Sequence, residues 1–175
     1  FLLIFLLGSG ALINFTQQTS EEKKDVILEN RPEFCKIVIP EADSCFKHTE
    51  TAPHYRAYQT DISTREKTLL GLVFITTETT PHITGYAGKI KIIVGVDLKG
   101  KITKAHIISH SETPRFVRKL NAFMHQFRNK NVQDSFELNN DVDAMTRATV
   151  TSRAITQAIK ESLELVAAPY LNVQM

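Results

Sequence analysis

The chain has 175 residues, enough for one domain with its own core and short of what two would need. Its 21 Lys and Arg nearly balance 19 Asp and Glu, a formal net charge of +2, so bulk electrostatics gives no case for nucleic-acid binding. A hydrophobic share of 42% excludes large-scale disorder.

Residues 1–15 read FLLIFLLGSGALINF, without a charge. A bilayer crossing takes about 20 apolar residues. The run is shorter than that and opens on Phe1, and we read it as the end of a transmembrane helix. A signal-peptide core, with Gly8-Ser9-Gly10-Ala11 as a weak cleavage site, and a buried strand or helix are the alternatives. Glu21 and Glu22 offset Lys23 and Lys24, so charge does not set an orientation. A short helix is expected from Ser20. Residues 16–68 are expected to pack as an extension on the main domain, with 31–53 irregular because Pro32, Pro40 and Pro53 interrupt it. Cys35 and Cys45 leave three alternatives: free thiols, a disulfide in an oxidising compartment, or, with His48, part of a metal site that lacks a clear fourth ligand.

Residues 54–60 alternate as a strand does. Residues 69–77 (LLGLVFITT) form a continuous apolar, β-branched run, which predicts a strand buried on both faces. Residues 89–97 (KIKIIVGVD) and 101–109 (KITKAHIIS) predict a hairpin around Leu98-Lys99-Gly100, with Gly100 supplying the positive φ of a tight turn. Ile90, Ile92 and Val94 share one face of it. Pro114 opens an expected helix to about residue 128, with Phe116, Leu120, Phe123, Met124 and Phe127 as its buried stripe. A polar loop follows, then a helix over 151–166 with Ile155, Ala158, Ile159, Leu163 and Val166 on one face and Thr151 or Ser152 as its cap. The sum is an α+β domain over residues 69–168, an antiparallel sheet with a β-hairpin packed by helices, preceded by a truncated membrane helix and followed by a linker over 169–175.

The stretch Asp143-Ala144-Met145-Thr146-Arg147-Ala148-Thr149-Val150-Thr151-Ser152 gathers hydroxyls at a helix start, where backbone N–H groups favour phosphate. Taken alone, an N-cap with extra threonines accounts for it. No nucleophile, base and orienter set suggests hydrolysis, no metal-ligand set is complete, and no nucleotide-binding glycine fingerprint is present.

The same stretch resembles the flavinylation motif of the FMN-binding domain family: an Asp, two variable residues, Ser or Thr, usually Gly, then Ala and an acceptor Thr or Ser, commonly followed by Thr-Ser. Asp143, Thr146, Ala148, Thr149, Thr151 and Ser152 match. Gly85-Tyr86-Ala87-Gly88, ahead of Lys89-Ile90, is similar to the family's Gly-Tyr-x-Gly entry to the hairpin. His110-Ser111-Glu112-Thr113-Pro114 is similar to its His-x-Glu-Thr-Pro turn. Order and spacing fit across residues 69–166. Arg147 departs from the usual Gly and offers either a bidentate partner for phosphate or a solvated charge.

The resemblance implies FMN joined by a phosphoester to Thr149, built from FAD by a separate flavin transferase that uses a divalent metal. It implies that Asp143 orients the motif or serves during transfer, and that Glu112 and Thr113 contact the ring beside Gly85. Tyr86 either stacks on the ring or fills the core. His110 either donates a proton near the ring or is an exposed strand-end His. The Arg-Ala-Thr form resembles membrane flavoproteins that accompany nitrous oxide reductase or reductive dehalogenases, with a lean toward the latter. Such proteins have an N-terminal membrane helix, an extracytoplasmic FMN domain and further membrane helices. The implied function is electron transfer from membrane quinol to a respiratory reductase. The alternatives are redox sensing or maturation for that reductase, a structural domain with an unused motif, and a hydride-transferring oxidoreductase with its own substrate.

Overall fold

The computed structural model describes residues 30–49, 51–115 and 117–173. The expected membrane helix over 1–15, the helix start at Ser20 and Phe116 lie outside the described residues. Five strands form one antiparallel sheet in the order β1-β2-β3-β4-β5: β1 (Ser44–His48), β2 (His54–Thr60), β3 (Lys67–Ile75), β4 (Ile90–Asp97) and β5 (Ile102–His110). Each strand pairs with its neighbour in sequence, so the sheet is a meander, with the short helix Thr76–Thr79 and the Gly85 turn in the longer connection between β3 and β4. The helices are α1 (Pro32–Lys36), α2 (Thr76–Thr79), α3 (Leu120–His125), α4 (Thr149–Val166) and α5 (Ala168–Val173). The expected α+β class with an antiparallel sheet is therefore what the chain adopts.

The strand pleat explains the two faces. Leu72, Phe74, Ile90, Ile92, Val94 and Val96 point into the main core, where Phe123, Phe127, Ile155, Ile159 and Leu163 from the helical side meet them. Val73, Ile75 and Ile93 point the other way, into a smaller core closed by Val38, Ile39 and Ala42. That alternation accounts for the continuous apolar reading of β3 and β4: both faces are covered. The β4–β5 hairpin turns where expected, with Gly100 at φ 77° and Asp97 Oδ1 accepting from the N–H groups of Lys99 and Lys101, each at 2.9 Å.

Two expectations need correction. Residues 31–53 are not irregular: Pro32 opens α1 at its first turn, and Ser44–His48 pairs with β2 as an edge strand. Elements of 5 residues give little more than one helical turn or two strand periods, too short for a pattern to stand out, and their stability comes from neighbours. The disulfide between Cys35 and Cys45 ties these two elements together, with Cα atoms 6.1 Å apart, and settles the three alternatives for the cysteines. The helix expected from Pro114 to about residue 128 is also shorter, covering only Leu120–His125. Pro114 and Arg115, and then Arg118 and Lys119, lie in turns instead. The expected stripe survives the change: Leu120, Phe123, Met124 and Phe127 are all buried.

Candidate functional site

In the polar loop ahead of the motif Asp141 makes the most bonds. Asp141 accepts from the backbone N–H of Phe136 at 3.1 Å and of Glu137 at 2.7 Å, and from Lys130 Nζ at 2.8 Å. Burial works against its ionisation, but the Lys130 ammonium and these N–H groups outweigh it and hold the carboxyl well below the usual range. The loop thereby seats Phe136 on Phe127, with ring centroids 6.3 Å apart.

The motif itself is then clipped down twice. Gln126, at the end of α3, uses both ends of its side-chain amide on Asp143: Oε1 accepts from the backbone N–H at 2.8 Å and Nε2 donates to the carbonyl at 3.1 Å. Ser152 Oγ accepts from the Met145 N–H at 2.9 Å and donates to the Ala148 carbonyl at 3.0 Å. These bonds fasten the turn over residues 145–148 to the first turn of α4. Arg147 sits in that turn at φ 67°, a conformation easiest for Gly, at the position where Gly is usual in the motif. Its side chain is exposed.

Ser152 was expected, with Thr151, as the helix cap. Neither is: α4 begins at Thr149 after Ala148, and no side chain caps it. The first N–H groups of an α-helix have no partner within it, so Thr149 stands beside donors and at the positive end of an 18-residue helix. Of the three hydroxyls in the first turn, Thr149 is exposed, whereas Thr151 and Ser152 are 2% and 0% exposed. Thr146 and Asp143 are exposed too, and Ala148 is buried.

Glu112 joins the three sequence motifs. It is only 5% exposed, yet both oxygens are engaged. Oε1 accepts from the Ala87 N–H at 2.9 Å, and Oε2 accepts from the Thr151 hydroxyl. Gly85 makes room for it, because a Cβ there would lie 2.4 Å from Glu112 Oε1 and 2.7 Å from Ile90 Cδ1. The tight turn is closed by the Gly85 N–H donating to the Gly88 carbonyl at 2.7 Å. His110 Nδ1 accepts from the Glu112 N–H at 3.1 Å, which shapes the second turn. Tyr86 is 74% exposed rather than packed in the core, and Thr113 is exposed beside Glu112.

Sequence reasoning missed Gln126 and Asp141. The Asn- and Asp-rich run before residue 143 signalled a loop without saying which acid organises it, and Gln126 carried no signal at all. A separate groove of about 720 Å³ lies along β5 and α3, lined in part by Lys104, His106, His125 and Arg128. It includes no motif residue, so we place the site by the motif geometry instead. No group of His, Cys, Asp and Glu side chains suited to a metal occurs among the described residues, and no helix among them is long and apolar enough to cross a membrane.

The chain is similar in sequence to several known proteins. The chain is 38% identical over 90 residues to a subunit of the proton-translocating ferredoxin:NAD(+) oxidoreductase complex of Clostridium ljungdahlii, covering 47% of this chain and 48% of that protein. It is 26% identical over 189 residues to the corresponding subunit of the ion-translocating oxidoreductase complex of Vibrio vulnificus, covering 94% of this chain and 86% of that protein. It is 30% identical over 90 residues to the corresponding subunit of the Na(+)-translocating ferredoxin:NAD(+) oxidoreductase complex of Acetobacterium woodii, covering 46% and 44%. The matched stretch thus spans about half the length of the clostridial and Acetobacterium relatives. The model of the FMN-binding domain matches residues 85–164. Those residues, which hold the Gly85 turn, the Glu112 turn and the start of α4, are thus the part of the chain that matches the FMN-binding domain family.

Proposed function

We propose that the chain is an electron-transferring subunit of a membrane ion-translocating oxidoreductase complex, carrying FMN joined through its phosphate to Thr149. The observation that carries the attachment point is the contrast at the start of α4: Thr149 is an exposed residue, while Thr151 and Ser152 are buried and hydrogen-bonded. The helix N-terminus suits the phosphate, and the exposed Arg147 adds a positive charge next to it. Bound flavin supplies one- and two-electron transfer, while the protein supplies position and electronics.

Attachment requires a flavin transferase and FAD. Thr149 Oγ bonds to the flavin-side phosphorus of FAD, the phosphorus bond to the bridging oxygen breaks, AMP leaves with that oxygen and its electron pair, and the hydroxyl proton is released. On this reading Asp143, Thr146, Ala148, Thr151 and Ser152 shape the segment that presents Thr149, Glu112 ties Thr151 to the Gly85 turn, and Gly85, Tyr86 and Thr113 belong to the surroundings of the flavin.

The names of the relatives favour a ferredoxin:NAD(+) type of complex as the partner. The quinol donor and the dehalogenase partner expected from the sequence draw no support from them. The Cys35–Cys45 disulfide favours an extracytoplasmic position for the domain, since disulfides persist in oxidising compartments.

The test is co-expression of the full chain with an active flavin transferase, followed by denaturing electrophoresis and flavin fluorescence. Wild type and Thr149→Ser should fluoresce and Thr149→Ala should not. A fluorescent Thr149→Ala chain, or a dark wild type beside a labelled control substrate, sinks the attachment point.

A further inference from the structure

We infer that Glu112 is a positioning residue for flavin transfer: its buried carboxylate sets the acceptor turn by pinning Thr151 to the Gly85 turn, so that Thr149 is the hydroxyl left outside. The inference rests on the reading of Thr149 as the acceptor and goes beyond it. The three motifs are far apart in sequence, with Ala87 25 and Thr151 39 residues from Glu112, and this one side chain connects them.

A long acidic side chain buried to 5% exposure has to be satisfied by partners, and here each oxygen has one. The Thr151 hydroxyl donates to Oε2, so it is committed as a donor and turned inward. Thr149 lies two positions earlier in the helix, about 200° away around its axis. Fixing Thr151 inward therefore fixes Thr149 outward. Ala87 N–H on Oε1 locks the other end, and the missing Cβ at Gly85 lets the carboxylate approach the backbone there. Close placement of a reacting group is worth large factors in rate, and small displacements are costly.

The experiment measures initial rates of flavin transfer to the full, unflavinylated chain, with purified transferase and FAD at varied chain concentration, normalised to folded chain by circular dichroism. Glu112→Ala is expected to lower kcat/KM for transfer roughly tenfold. Thr151→Val should fall in the same direction, and Thr151→Ser should recover most of the rate because it keeps the hydroxyl. Glu112→Ala combined with Thr151→Val should be no slower than Glu112→Ala alone, since both remove one interaction. Gly85→Ala, which leaves Glu112 itself intact but crowds Oε1, should also slow transfer. Amide exchange at Ala87 should speed up in Glu112→Ala.

Wild-type transfer rates in folded Glu112→Ala and Thr151→Val overturn the inference, even if both lose stability, and leave Thr149 as acceptor untouched. Should Glu112→Ala not fold, Thr151→Val against Thr151→Ser decides alone: equal rates overturn the inference. A wild-type chain that takes no flavin overturns both the inference and the reading beneath it.

Discussion

Ser152→Ala removes one oxygen atom from a fully buried position and offers the most direct probe of how the acceptor turn is held. The lost hydroxyl leaves the Met145 N–H without its partner, in a residue only 5% exposed, and also gives up the bond to the Ala148 carbonyl. A buried donor left unsatisfied costs about 1–3 kcal/mol. The Ala148 carbonyl keeps the Ser152 N–H bond at 2.9 Å, so the second loss is smaller. A total of about 2 kcal/mol follows, which for a domain of this size lowers Tm by about 4–8 °C. The chain has no Trp, so the assay is far-UV circular dichroism through thermal and urea unfolding. The denaturant slope should stay constant while the midpoint falls, because the surface exposed on unfolding is unchanged. The loosened turn should also slow flavin transfer to Thr149. Unchanged midpoints in Ser152→Ala would refute the assignment of these two hydrogen bonds as the closure of the turn.

Asp141→Asn should destabilise the domain at pH 7 by about 1–2 kcal/mol, the lower part of the range for charged hydrogen bonds because the carboxylate keeps some contact with water. The folded-state pKa is depressed, so this stability is fully present above the unfolded value of about 3.9 and is lost as pH falls below it. The gap between wild type and Asp141→Asn in urea unfolding should therefore close at acid pH, and a gap independent of pH would contradict the assignment. Replacing both Cys35 and Cys45 with Ser should cost about 3 kcal/mol, as expected for a cross-link spanning a sequence separation of 10. The wild type should lose a similar amount in reductant, and the double variant should not respond to reductant at all.

Much of the sheet was legible in the sequence because its cues are local. Alternation marked 54–60, which became β2 residue for residue, and a β-branched run marked β3. Two such runs around Leu98-Lys99-Gly100 marked the hairpin, since a turn residue with positive φ is a property of the chain segment itself. The apolar face of α4 was likewise set by helical spacing, and the FMN-binding family was carried by three short motifs in order. The short elements α1 and β1 were not legible, because five residues repeat a period too few times to show a pattern and their order depends on β2 and on the Cys35–Cys45 bond. Nor could the sequence say that Pro114 begins a turn rather than a helix, or that Thr151 and Ser152 lie inside α4 instead of capping it. Tertiary structure alone decided the hydrogen-bond partners of Glu112. Its partners are Ala87 and Thr151, and a carboxylate buried between them is stabilised by contacts that exist only once the hairpin and α4 have docked. Local propensity acts over a turn or two of chain, whereas satisfying a buried polar group depends on whatever the fold brings within hydrogen-bond reach.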